Sequence, residues 1–156
     1  MFTLNCNGRL LVVDKPLVMG ILNCTPDSFY AGSRTQTITA VLQQAGQMLE
    51  DGAMLLDMGG QSTRPGSTLI SREEEAARVI PAIAAVHQAF PHAFISVDTF
   101  YASVAESAVH AGACIINDIS AGQMDEAMIS TVAALQVPYV LMHMKGTPQT
   151  MQQEAH

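Results

Sequence analysis

The stretch Met19-Gly-Ile-Leu-Asn-Cys-Thr-Pro-Asp-Ser-Phe29 decides how this chain folds. Its first half is apolar and reads as a strand, and its second half turns to small polar residues that read as a loop. A strand delivering Asn23 to such a loop is how parallel α/β folds present chemistry. The pattern recurs at Leu55-Leu-Asp-Met-Gly-Gly60, which runs into Gln-Ser-Thr-Arg-Pro-Gly-Ser67 and sets a hydroxyl, Thr63, beside a guanidinium, Arg64. Two polar loops on one rim imply an anionic ligand.

Outward from these two edges, strands are expected near Leu17–Asn23, Met54–Gly59, Phe94–Asp98, Cys114–Ile119 and Tyr139–Met144. Their nearly continuous apolar character suits parallel strands covered on both faces. Between them lie helical stripes. Ile38, Val41, Leu42, Ala45, Met48 and Leu49 share a face that ends before Gly52. Ser71 and Glu74 form a capping box for a second helix, which Pro81 should kink or divide. Val104, Ala105, Ala108 and Val109 stripe a third helix closed by Gly112. Met128, Ile129, Val132 and Leu135 stripe a fourth. Before all of these, Phe2 to Val13 alternates around Asn7-Gly8, a hairpin signal because both turn residues tolerate positive φ.

The connections after the first two of these five strands are long, from Thr25 to Thr35 and from Gly60 to Ile70, and those after the third and fourth are expected to be brief. Long loops after strand C-termini are read as functional.

The 156 residues are 49% hydrophobic and 13% charged, enough for a core and unlike disorder. A formal charge of −7 argues against nucleic acid or an anionic membrane as partner. An anionic substrate then needs local cations or a metal ion. Cys6, Cys24 and Cys114 are far apart, so reduced thiols are expected, without a disulfide framework or zinc site. No basic leader with an apolar core and no membrane-length apolar run is read, so the expected location is cytoplasmic.

Asn23, Asp57 and Asp98 each stand at or near a strand end, where a polar side chain can serve a ligand or merely cap a turn or helix. Asn117 and Asp118 are consecutive on one strand and point to opposite faces, so only one can enter a barrel. His143, next to Met142, reads as a structural hydrogen-bonding residue.

Together these segments resemble the paired signature of dihydropteroate synthases, which join a dihydropterin to p-aminobenzoate. The likeness continues, in order, through Ile95-Ser-Val-Asp-Thr99, Ile115-Ile-Asn-Asp-Ile119 and Leu141-Met-His-Met144. It implies a (β/α)₈ TIM barrel, an α/β fold, truncated to about its first five strands. The expected organisation is one partial pterin-binding domain over residues 1–156. Residues 1–15 would form an N-terminal β-hairpin at the barrel's N-terminal end, and residues 16–156 the first five βα units. From length alone an open doubly wound sheet would compete.

The resemblance also implies roles. Asn23 would ligate Mg²⁺, which binds the substrate diphosphate. Asp27 would bring negative charge near the electron-deficient pterin carbon, and Arg64 would order the active site. Thr63 would contact the diphosphate, and Phe29 and Pro65 would help form the p-aminobenzoate pocket. Asp98 and Asn117 would present acceptors and a donor to the pterin edge, leaving Asp118 structural, while Met142 and Ile119 flank the ring. Gln61, where a glutamate is common, and Tyr30 to Thr35 depart from the family pattern. The implied partners are a dihydropterin diphosphate and p-aminobenzoate, with a homodimer at full length. The isolated 156 residues are expected to be inactive. Rival readings are a corrinoid-type pterin-dependent methyltransferase domain and a non-catalytic truncated binding module.

Overall fold

The computed structural model describes residues 1–25, 34–61 and 69–142, with backbone alone for residues 34–36. Strands β1 (Phe2–Cys6) and β2 (Arg9–Val13) pair antiparallel, with Phe2 opposite Val13 and Cys6 opposite Arg9. Between them Asn7 and Gly8 take φ values of 53° and 84°, both positive, as a type I′ turn requires. Asn5 Oδ1 accepts from Gly8 N at 2.9 Å and stiffens that turn.

Five parallel strands follow: β3 (Met19–Asn23), β4 (Leu55–Gly59), β5 (Phe94–Asp98), β6 (Ile115–Asp118) and β7 (Tyr139–Leu141). Their order across the sheet is their order along the chain. A doubly wound sheet must reverse its strand order at a switch point, and this one does not. The sequential progression is that of a barrel wall.

Helices α1 (Arg34–Glu50), α2 (Arg72–Ala89), α3 (Ala102–Ala111) and α4 (Met128–Leu135) pack each against the next along one side of the sheet. Toward them point Leu22, Leu56, Met58, Ile95, Val97 and Ile116, all fully buried. Each such side chain contributes roughly 1.5–3 kcal/mol on leaving water, so this seam is the main core. The expectation of cover on both faces holds for the central strands, where Asp57, Ser96, Ile115 and Asn117 of the second face are also buried, and fails at the outer strands β3 and β7. On the second face the lower end is sealed by Cys6 and Leu11 of the hairpin, which pack on Leu55, Phe94, Cys114 and Ile115. Arg9 pins the hairpin there, donating to the carbonyls of Pro91 and Ala93 and stacking over Phe94 at 4.3 Å. Higher on that face Ile21 is 61% exposed.

Other local expectations change as well. Ser71 Oγ does accept from Glu74 N at 3.2 Å, but the Glu74 carboxylate reaches forward to Arg78. Helix α2 runs undivided through Pro81, because Val79, Ala82, Ile83 and Val86 around it are all buried against the sheet and neighbouring helices. Tertiary burial there outweighs the intrinsic cost of the proline. Ile129 is 51% exposed and stands outside the α4 stripe, which is carried by Met128, Val132 and Leu135. The link from β6 to α4 is not brief: it spans nine residues, 119–127. All three cysteines are free and buried. Among the described residues no helix is long and apolar enough to cross a membrane.

Candidate active site

The sheet register assembles the candidate residues. Asn23 partners Gly59, Gly59 partners Asp98, Asp98 partners Asn117 and Asn117 partners Val140. Neighbours in register on parallel strands share a face, so one lateral row at the strand C-terminal ends carries Asn23, Asp98 and Asn117 together. Gly59 contributes no side chain to that row. A Cβ there would stand 3.4 Å from Asp98 Cβ and 3.5 Å from Asp98 Oδ2, so the gap leaves the carboxylate open to a ligand.

Two residues lower, the same face carries Ile21, Asp57, Ser96 and Ile115 in register. The face thus grades from the apolar hairpin plug, through a mixed row, to the polar row at the top. Asn117 Nδ2 donates to Asp57 Oδ2 at 3.0 Å and links the two polar levels. Asp57 Oδ1, Asn117 Oδ1 and Ser96 Oγ are buried with no hydrogen-bond partner among the described residues. Buried polar atoms left in this way are expensive, and their residues share the sheet face that carries the row.

Asp98 is pushed up to about 7, first by burial and then by the negative charges of Asp57 and Asp118. It is not a helix cap. The first amide of α3, Ala102 N, is instead capped across the loop by Asp125 Oδ2 at 2.9 Å. Asp118 turns to the opposite face and is fully buried. It accepts from Ser120 N, Ser120 Oγ, Gly122 N and Tyr139 OH at 2.7–2.8 Å, and so holds the β6–α4 link in shape.

A second acid lies beneath the rim. Glu75 of α2 is fully buried and takes the Thr99 hydroxyl on Oε2 at 2.9 Å, while Oε1 has no partner among the described residues. Burial is the leading cause that raises it to about 7. Gly60 is packed on it: a Cβ there would stand 3.0 Å from Glu75 Cγ and 3.1 Å from its carbonyl oxygen. Gln61 Oε1 accepts from Ile70 N at 3.2 Å, tying together the two ends of the second long loop. Composition gives no hint of a buried Glu75. The helical spacing Glu75, Val79, Ala82, Val86 places it on the buried stripe and is the signal that finds it.

Met142 follows β7, is 40% exposed, and donates its N–H to Asp118 O at 3.3 Å. Ile119, two residues beyond Asn117, is half-buried. Asp27, Phe29, Thr63, Arg64, Pro65 and His143 lie outside the described residues.

The site's donor set is mostly oxygen. Magnesium commonly takes one or two protein oxygens and completes its shell with water and phosphate. The Asn23 carboxamide, at a strand end and in one row with Asp98, fits that habit. Among the described residues no cluster of three or more His, Cys, Asp or Glu could cage a metal by itself.

A singly wound parallel sheet, closed below and polar at its strand C-termini, defines the chain as part of an α/β barrel. Within that class its family is clear: residues 19–156 match the model of the pterin binding enzymes, and the chain belongs to that family. It is 51% identical over 149 residues to the mitochondrial folate synthesis bifunctional protein of Pisum sativum, covering 94% of this chain and 29% of that protein. It is 50% identical to the dihydropteroate synthase of Bacillus subtilis, covering 83% of this chain and 45% of the relative. A solved Xanthomonas albilineans dihydropteroate synthase with 4-aminobenzoic acid matches at 47% identity and a TM-score of 0.86, covering 92% of this chain and 52% of that one. The same enzyme in complex with 7,8-dihydropteroate matches at 43% identity and a TM-score of 0.81. The chain spans about half the length of these synthases.

Proposed function

We propose that this chain supplies the pterin-binding half of a dihydropteroate synthase. The reaction transfers the dihydropterin-methyl group from (7,8-dihydropterin-6-yl)methyl diphosphate to the amine of p-aminobenzoate, releasing diphosphate and giving 7,8-dihydropteroate. The observation that carries this reading is the single row of Asn23, Asp98 and Asn117 at the strand ends, in a family whose solved relatives hold 4-aminobenzoic acid and 7,8-dihydropteroate.

In this mechanism Asp98 and Asn117 bind the polar edge of the pterin and fix the ring, with Met142 and Ile119 against its faces. Asn23 would hold a magnesium ion at the diphosphate end, and that ion would supply stabilisation of the departing negative charge. Thr63 adds a hydroxyl contact to the diphosphate, Arg64 orders the site, and Asp27 brings negative charge toward the reacting carbon. No residue forms a covalent intermediate; the chain's work is positioning and electrostatic preorganisation. The remaining substrate contacts come from the other half of the enzyme, and the working unit is a cytoplasmic homodimer.

The test is substrate binding by Asn23→Ala in the full enzyme across a magnesium titration. The variant should bind the diphosphate substrate about tenfold more weakly at saturating magnesium, the usual size for one lost charge-assisted contact, and equally without it. Identical curves for variant and parent would remove Asn23 from the site.

A further inference from the structure

Asp57 sits on β4 one level below the ligand row and is 5% exposed. The carboxamide of Asn117 has two ends alike in shape and opposite in polarity. Asp57 Oδ2 faces Asn117 as an acceptor, and an acceptor oxygen can hold only the NH₂ end of the carboxamide, as it does at 3.0 Å. Rotating the amide would bring two acceptor oxygens together in a buried place, where repulsion is weakly screened. One of the two amide orientations is thereby removed. The surviving one spends the Asn117 donor on the protein and leaves Asn117 Oδ1 buried without a partner among the described residues.

We propose that Asp57 is a positioning residue for ligand recognition: it locks the Asn117 carboxamide with its oxygen toward the ligand. The site then selects a heterocycle edge that offers an N–H donor at that point, and Asn117 acts there as an acceptor only. This sharpens the expectation of a donor from Asn117, and it rests on the pterin reading above.

The experiment uses the full chain and 7,8-dihydropterin, with calorimetry on the parent, Asp57→Ala, Asp57→Asn, Asn117→Ala and the Asp57→Ala/Asn117→Ala double variant. Asp57→Ala and Asn117→Ala should each weaken binding about tenfold. The double variant should bind no more weakly than Asn117→Ala, because Asp57 acts through Asn117. Asp57→Asn offers a donor as well as an acceptor and can hold either end of the Asn117 amide, so it should keep part of the loss. In ligand-free protein the Asn117 side-chain NH₂ signals should be exchange-protected by NMR, and Asp57→Ala should shift and deprotect them while the melting curve stays cooperative. Should Asp57→Ala not fold, the same cycle is run with Asp57→Asn, whose smaller loss must likewise vanish in the Asn117→Ala background. Additive losses, or Asn117 NH₂ signals unmoved by the Asp57 change, overturn the positioning role and leave the pterin reading standing. A parent chain that does not bind 7,8-dihydropterin overturns the pterin reading and this use of Asp57 with it.

Discussion

Asp98 keeps its proton up to about pH 7 in the folded chain because burial, Asp57 and Asp118 all oppose its charge. An edge of N–H donors binds the ionised form better, so 7,8-dihydropterin affinity should rise about tenfold from pH 6 to 8, following the ionised fraction. Asp98→Asn should flatten that profile, and an unchanged slope in the variant would assign the titration elsewhere. Glu75 carries a related signature in stability. Its folded pKa, about 7 against an ordinary 4.5, means that the folded chain binds more protons than the unfolded one between those values. Stability therefore falls as pH rises through that window. Glu75→Gln keeps an acceptor for Thr99 and removes the titration, so it should raise stability at pH 8 by about 1–3 kcal/mol and reduce the pH dependence of the melting temperature. Sequence spacing could place Asn23 and Asp98 at strand ends, but it could not say that Gly59 lies between them as the open position of their row. That adjacency belongs to register, which no single strand encodes.

The elements were legible where periodicity and turn chemistry agree, as in the Asn7-Gly8 hairpin, the strand Phe94–Asp98 and the helix closed by Gly112. They were illegible where a distant partner decides. Pro81 reads locally as a kink or a division, and buried neighbours on both sides carry α2 through it undivided. Asp98 was open to reading as a cap for α3, yet the capping carboxylate is Asp125, which arrives 23 residues after the amide it serves. The β6–α4 link was expected to be short because nothing in Ser120 to Ala127 announces that Asp118 will gather four donors around itself. Asp118→Ala should strip that loop of its anchor and leave its amides without a buried acceptor. A loss of about 2–4 kcal/mol in chemical denaturation is expected from several such bonds, with amide exchange rising first in residues 119–127. A loss confined to α4 with the link still protected would show that other contacts hold it.

At the scale of the whole molecule, among the described residues the outer strands β3 and β7 each keep an unpaired edge and an open face. Met19, Ile21, Val140, Leu141 and Met142 are each at least 40% exposed there, and edge strands with apolar neighbours invite pairing. Residues 1–156 alone should therefore sediment as a concentration-dependent oligomer and give no dihydropteroate with both substrates and magnesium. A monodisperse monomer with turnover would mean that the open face is not a wound in the barrel. The hairpin carries a different implication, for the time course of folding. It is made before the sheet it plugs, but Arg9 waits for Pro91 and Ala93, more than eighty residues later, and Cys6 and Leu11 wait for Cys114 and Ile115. Contacts so distant in sequence form slowly, so the floor of the site is set only after β6 has emerged, and until then the nascent chain carries an apolar plug with nothing to close.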